Sequence, residues 1–300
     1  LLGCRDRHRS PAMTVSAHAP TGRIWQAGTP GLFVLLWSTG FIFAKLGLPY
    51  AEAFTFLSWR FAIVALLMAA VALAFRAPWP KGLRMVGHIA VVGVLMHGAY
   101  LGGTFAAIGA GVSAGVAALI VGLQPLLTAT VVGPLLGERV APVQWLGLAL
   151  GFAGVALVLW NKLALGEAPL WGYGFSFLAL FGITAGTLYQ KRFCSTMDWR
   201  SGGTIQYAAA TLAMLPPMLL FETGEVRWTA EFVFAMVWLV VMLSFGAITL
   251  LNWLIRRGAA AKIATLFYLV PPVVAVESYL IFGEVLRPVA LVGMALTAVG

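Results

Sequence analysis

Three ionisable residues, Glu277, Arg60 and Lys45, stand inside apolar stretches of this chain. A lone charge there costs about 2.5 to 3.5 kcal/mol even on the lenient membrane-insertion scale, so each needs a partner or a purpose. Two chemistries fit: holding a charged substrate group, or taking up and releasing a proton. Glu277 lies six residues before Gly283, about 9 Å below the outer end of its helix, and Lys45 and Arg60 fall at a similar depth on the same side. The spacing predicts Glu277 facing Arg60 or Lys45 across the outer half of a cavity. A static interhelical ion pair, or a lysine snorkelling to the interface, is the plainer reading of the same residues.

His97 and Tyr100 lie deep in a third apolar stretch. A histidine there could shuttle protons because it titrates near physiological pH, or it could be a neutral ring hydrogen-bonded to a neighbouring helix. Gln124, Trp37, Ser38, Thr184, Tyr189 and Tyr268 are further cavity candidates by depth and type, while Asn252 falls nearer the inner face. Aromatics and hydroxyls suit an amphipathic substrate, although most aromatics in such a chain fill interhelical space or interfacial belts. Pro125, Pro271 and Pro272 are hinge candidates: inside a helix each removes a backbone donor and kinks it, as a point of rocking or as a fixed bend. Small-residue pairs such as Gly182/Gly186 permit close helix contact.

The elements that carry these residues follow from composition. The chain is 61% hydrophobic and 10% charged, with 11 Trp and a mean hydropathy of +0.94. Those proportions exclude an ordinary soluble domain and predict an all-α polytopic membrane protein. A bilayer core needs ~20 apolar residues per helix. Ten such stretches are read, at about 31–50, 54–75, 85–107, 112–136, 142–160, 170–190, 203–221, 232–254, 259–282 and 288 to the end. The tenth is too short to cross, which predicts a truncated tenth helix. Residues 1–12 are arginine-rich and precede Met13; they are read as a translation artefact within a cytoplasmic segment 1–30, and no cleavable signal pattern is found.

Shifting the chain by 146 residues sets Lys45 on Lys191, Pro125 on Pro271, Gly137-Glu138 on Gly283-Glu284 and Pro142 on Pro288. The chain is one unit written twice, over 31–160 and 170–300. Arg60 aligns with Gln206 and Glu277 with Val131, so these charges belong to one copy only and the shared scaffold does not require them. Alternating loops place Arg5, Arg7, Arg9, Arg23, Arg76, Lys81, Arg84, Arg139, Lys191, Arg192, Arg200, Arg256, Arg257 and Lys262 on one side, against Lys162, Arg227 and Arg287 on the other. The positive-inside rule then puts both termini in the cytoplasm. Five helices per copy force the second to enter inverted, giving a 5+5 inverted repeat. The net charge of +9 is thereby a topology signal, with no nucleic-acid partner implied. Cys4 and Cys194 fall on the reducing side, so no disulfide is expected.

The run Leu123-Gln-Pro-Leu-Leu-Thr through Gly137-Glu-Arg, then Pro142-Val-Gln-Trp-Leu-Gly, is similar to the signature of the EamA-type transporters of the drug/metabolite transporter superfamily. Tyr268-Leu-Val-Pro-Pro through Phe282-Gly-Glu resembles the second such unit, and Leu36-Trp-Ser-Thr-Gly-Phe with Arg60-Phe61 resembles the family's first two helices. The resemblance implies ten helices around a central cavity in which small metabolites or toxic compounds cross by alternating access, often outward. The related four-helix multidrug exporters carry an acid in their first helix. Residues 31–50 contain none, which argues against a proton–cation antiporter of that style.

Composition and motifs together point to a secondary transporter in a plasma (inner) membrane that exports a small metabolite, amino-acid-like or amphipathic, with protons as a candidate coupling partner. An importer, or a sugar-phosphate or nucleotide-sugar antiporter, is the alternative, and a membrane scaffold the alternative of a different class. No nucleotide-binding glycine loop, HExxH pair, Cys/His cluster or nucleophile elbow is present. The chain reads as a non-enzyme without metal or cofactor, and an ATP-driven pump would need another subunit.

Overall fold

The computed structural model describes residues 21–136, 142–164, 168–248, 250, 251, 254, 266–284 and 288–299. Expectations on residues 1–12, Met13, Glu138 and Asn252 lie outside them. In lipid a backbone must satisfy its own amides, and helices do so within one segment. Among the described residues the regular elements are helices, apart from one isolated antiparallel bridge between Ala51 and Val226. They are α1 (Thr21–Gly47), α2 (Ala53–Ala74), α3 (Leu83–Gly109), α4 (Ala114–Val121), α5 (Gln124–Leu136), α6 (Pro142–Ala164), α7 (Leu170–Phe193), α8 (Trp199–Phe221), α9 (Ala230–Ala247), α10 (Val270–Phe282) and α11 (Pro288–Val299). Seven helical runs in these residues are long and apolar enough to cross a membrane, α4 and α5 counting as one run.

Each helix turns one face inward. Phe33, Phe56, Phe61, Phe105 and Phe232 are fully buried, while Leu66, Leu73, Leu219, Leu220 and Leu280 stand about seven-tenths exposed, as apolar side chains do when the solvent is lipid. The chain is a multi-pass membrane protein.

Equivalent helices of the two copies pack on each other. α2 lies along α8 and α6 along α11, while α10, the counterpart of α5, packs against α4. Unlike pairs come in exchanged sets: α1 meets α9 and α10, and α7 meets α3 and the α4–α5 run. The α2–α8 pair is antiparallel. At one end Ser201 Oγ, beginning α8, donates to the Pro78 carbonyl just past α2 at 2.6 Å. At the other, Glu222, ending α8, accepts from the Phe54 and Thr55 amides that begin α2, at 2.8 and 2.6 Å.

Two departures from regular helix recur at equivalent points. The first is a π-helical stretch, Val94–Ala99 in α3 and Leu239–Ala247 in α9; the shift of 146 residues carries the one into the other. The second is a break. The expected single helix over 112–136 stops at Val121 and restarts at Gln124, and α10 starts at Val270 after a turn at Tyr268 and Leu269. Pro125, Pro271 and Pro272 therefore sit in the first turns of α5 and α10. They were expected to kink a continuous helix. Instead they begin new ones, where a missing N–H leaves no hydrogen bond broken. The breaks abut, since a side chain at Gly122 would meet Pro271 Cγ at 3.0 Å.

Candidate functional site

The two π-helical stretches bring polar groups of both copies to the middle of the bundle. Arg60, on α2, is 2% exposed. Its Nη2 donates to the Leu239 carbonyl at 3.3 Å and to Ser244 Oγ at 3.4 Å, both on the π-helical part of α9. The winding explains this pairing: Ser244 Oγ returns to the carbonyl five residues back, Leu239, at 3.2 Å, where Ser38 and Thr184 in ordinary α-helix return to residues four back. Arg60 Nε and Nη1 have no hydrogen-bond partner among the described residues.

Aromatic rings wall this guanidinium. His97 stacks on Tyr207 with centroids 4.1 Å apart, and Phe61 packs against both at 6.0 and 5.8 Å. Tyr100, Tyr207 and His97 all lie within electrostatic reach of Arg60. Gln206, the counterpart of Arg60, sits beside His97. Trp37 continues the wall, parallel to Tyr100 at 6.5 Å and edge-on to Phe267 at 5.3 Å, and Phe267 also meets Phe33 at 5.6 Å. His97 Nε2 and Tyr207 Oη are buried without a partner.

Of the residues singled out in the sequence, Arg60, His97, Tyr100 and Trp37 meet here. Ser38 Oγ donates to the Val34 carbonyl at 2.7 Å and reaches the Val270 carbonyl at the start of α10 at 3.5 Å. Gln124 is buried at the other helix break; its Nε2 donates to Thr187 Oγ1 at 3.4 Å and its Oε1 has no partner. Tyr268 occupies the α10 break, its hydroxyl unpartnered. The Thr184 hydroxyl is spent on the Leu180 carbonyl of its own helix at 2.7 Å. Tyr189 belongs elsewhere, joining His88 Nδ1 at 2.8 Å beside Phe193.

The expected facing of Glu277 with Arg60 or Lys45 is corrected. Lys45 pairs with Glu284 and lies 4.5 Å from the Phe282 ring centre. Arg60 finds the α9 carbonyl and Ser244 instead. Depth along a helix does not fix the azimuth, and Glu277 Oε2 is buried with no partner. Glu284 thus serves an ion pair with Lys45. Tyr207 and Ser244 were missed, although Tyr207 aligns with Phe61 and Ser244 with Gly98 under the repeat. Gly182 and Gly186 do pack closely, against the π-helical stretch at Leu95, Met96 and Ala99 and against Tyr100 just beyond it.

A doubled signature, doubled irregularities and a polar centre drawn from both copies agree with what comparison with known proteins finds. The EamA-like transporter family matches residues 32–160 and 170–300. The chain belongs to that family.

A Streptantibioticus cattleyicolor protein named a probable terminal-alkyne amino-acid exporter is 31% identical over 90% of this chain and 89% of its own length. The transporter YvbV of Bacillus subtilis is 27% identical, over 88% and 86%. A Salmonella typhimurium protein named a probable amino-acid metabolite efflux pump is 24% identical, over 90% and 91%. One solved structure aligns with a TM-score of 0.65 at 20% identity, covering 90% of this chain and 92% of its own, a likeness of fold. This EamA-like protein is a transporter and not an enzyme.

Proposed function

We propose that this EamA-like transporter is an exporter of a small, amino-acid-like or amphipathic metabolite, working by alternating access in a ten-helix, 5+5 inverted-repeat bundle of the inner membrane. The observation that carries the reading is the mid-bundle cluster, to which one copy gives Arg60, His97, Tyr100 and Trp37 and the other Tyr207, Gln206, Ser244 and Phe267. A site shared by two inverted halves can be opened to either side by rocking one against the other. The names of the relatives support the substrate class. The antiparallel α2–α8 pair supports the inversion, and the abutting breaks at Gly122 and Pro271 offer the points about which half-helices move. Both termini are cytoplasmic, and Glu277, with its unpartnered Oε2, is the candidate for proton exchange.

The test is efflux from proteoliposomes holding a panel of amino acids and amphipathic amines, with and without a pH gradient. Gradient-dependent release that Glu277→Gln removes is the expected result. No flux of any panel member would end the reading. Thiol labelling checks the topology: residues 76–84 and 162–168 react from opposite compartments.

A further inference from the structure

Arg60 poses a problem that the described residues do not solve. A guanidinium taken out of water needs acceptors for five N–H donors and a compensating negative charge. Its acceptors among the described residues are neutral and long, at 3.3 and 3.4 Å, both on Nη2. Nε and Nη1 are buried and unmatched.

Nor does a carboxylate stand ready. The chain has ten Asp and Glu, and those in or bordering the described helices are engaged or elsewhere. Glu284 holds Lys45, Glu222 caps α2, Glu52 accepts from Thr223, Asp198 holds Arg200, and Glu277 is not a partner of Arg60. Glu231 is exposed in the first turn of α9, and the rest, by sequence position, lie in the N-terminal segment or between the apolar stretches.

We propose that Arg60 is the receptor for the carboxylate of the transported molecule, whose apolar part packs on the aromatic wall of Trp37, Phe33 and Phe267. This deepens the exporter reading and rests on it. The Nη1–Nη2 edge is the natural seat. Nη1 is unused, and the two long neutral bonds on Nη2 exchange readily for one bidentate, charge-assisted pair. Carbonyl and hydroxyl of the π-helical stretch hold the guanidinium, so that binding a carboxylate pulls Arg60 off α9 and loosens a contact between the two halves. That displacement is the link between occupancy and rocking.

Two further observations agree. α5 and α10 begin at abutting breaks, directing the positive ends of their helix dipoles at the middle of the bundle. Trp37 joins that region to the cluster through Tyr100 on one side and Phe267 on the other. The single guanidinium sets the charge: a monocarboxylate or a zwitterion, with one anionic group and an apolar body.

The experiment uses the purified full chain and measures thermal stabilisation by four probes: phenylalanine, N-acetylphenylalanine, phenylalaninamide and inorganic phosphate. The two carboxylates are expected to stabilise the wild type, and the amide and phosphate not to. Arg60→Gln weakens the carboxylate response on the order of 100-fold, and Arg60→Lys, which keeps the charge but not the fork, weakens it less. The wild-type comparison of acid with amide needs no variant, so it decides even where Arg60→Gln does not fold. Equal stabilisation by the amide, an unchanged carboxylate response in Arg60→Gln, a response to phosphate alone, or no response to either carboxylate overturns the proposal.

Liposome flux separates the two readings. Transport of amines that ignores the carboxylate removes the Arg60 role and leaves the exporter standing. Carboxylate binding without flux of any compound removes the exporter and leaves the site.

Discussion

One rim of the bundle and its middle treat polar groups by opposite rules. At the rim, charges are matched across the two halves. Glu222 accepts from the Phe54 and Thr55 amides and from Thr55 Oγ1, Glu52 from the amide and hydroxyl of Thr223, Glu284 pairs with Lys45, and Arg227 donates to the Pro49 carbonyl. In the middle, Arg60, His97, Tyr207, Tyr268, Gln124 and Glu277 each leave a buried polar atom without a partner. Matched groups hold structure, because removing one strands its mate. Unmatched ones in a low dielectric are expensive to keep, and residues on which the scaffold does not depend are retained there for what they bind.

That contrast breaks if middle and rim variants behave alike. The largest effect is expected at Arg60: Arg60→Gln lowers liposome flux on the order of 100-fold, the loss of a charge-assisted pair worth about 1.5 to 3 kcal/mol, while the melting temperature changes little. Glu222→Ala gives the reverse pattern. It uncaps α2 and costs about 2 kcal/mol in denaturation, with flux per folded molecule unchanged.

Smaller effects sharpen the picture. Lys45 and Glu284 are 31% and 27% exposed, so a double-mutant cycle of Lys45→Gln and Glu284→Gln should return a coupling below about 1 kcal/mol. A larger value would give that pair a gating role. The smallest effect is at the opposite rim, where α8 begins. Asp198 caps α8 and takes hydrogen bonds from the Arg200 guanidinium, which hold its carboxyl below the usual carboxylate range. Its contribution is therefore present above the unfolded-state value of about 3.9 and is lost as pH falls through the lower folded one. Asp198→Asn should flatten the acid end of the stability–pH curve by lowering stability slightly at neutral pH, where the charged cap contributes, and leaving it unmoved below the folded value.

Much of this was legible in the residues. The match of Lys45 with Lys191 and of Pro125 with Pro271 exposed the duplication, and apolar length located the helices because lipid allows few alternatives. Depth and residue type singled out Arg60, His97, Tyr100 and Trp37, which the structure brings together. The partners were not. Glu277 and Arg60 sit at similar depth, but hydropathy carries no azimuth, and the π-helical winding that turns Leu239 and Ser244 toward Arg60 has no hydropathy signature. The breaks at Gly122 and Tyr268 were hidden for a like reason: an apolar run reads the same whether the backbone inside it is continuous or restarts at a proline.

The most direct test of a centre reached in turn from both sides uses Ser244→Cys with Cys4 and Cys194 replaced by serine. Ser244 is 1% exposed and touches Arg60. A membrane-impermeant thiol reagent should modify it in both right-side-out and inside-out vesicles, more slowly when a transported carboxylate is present. Modification from one side only, or from neither in vesicles that transport, would contradict the account.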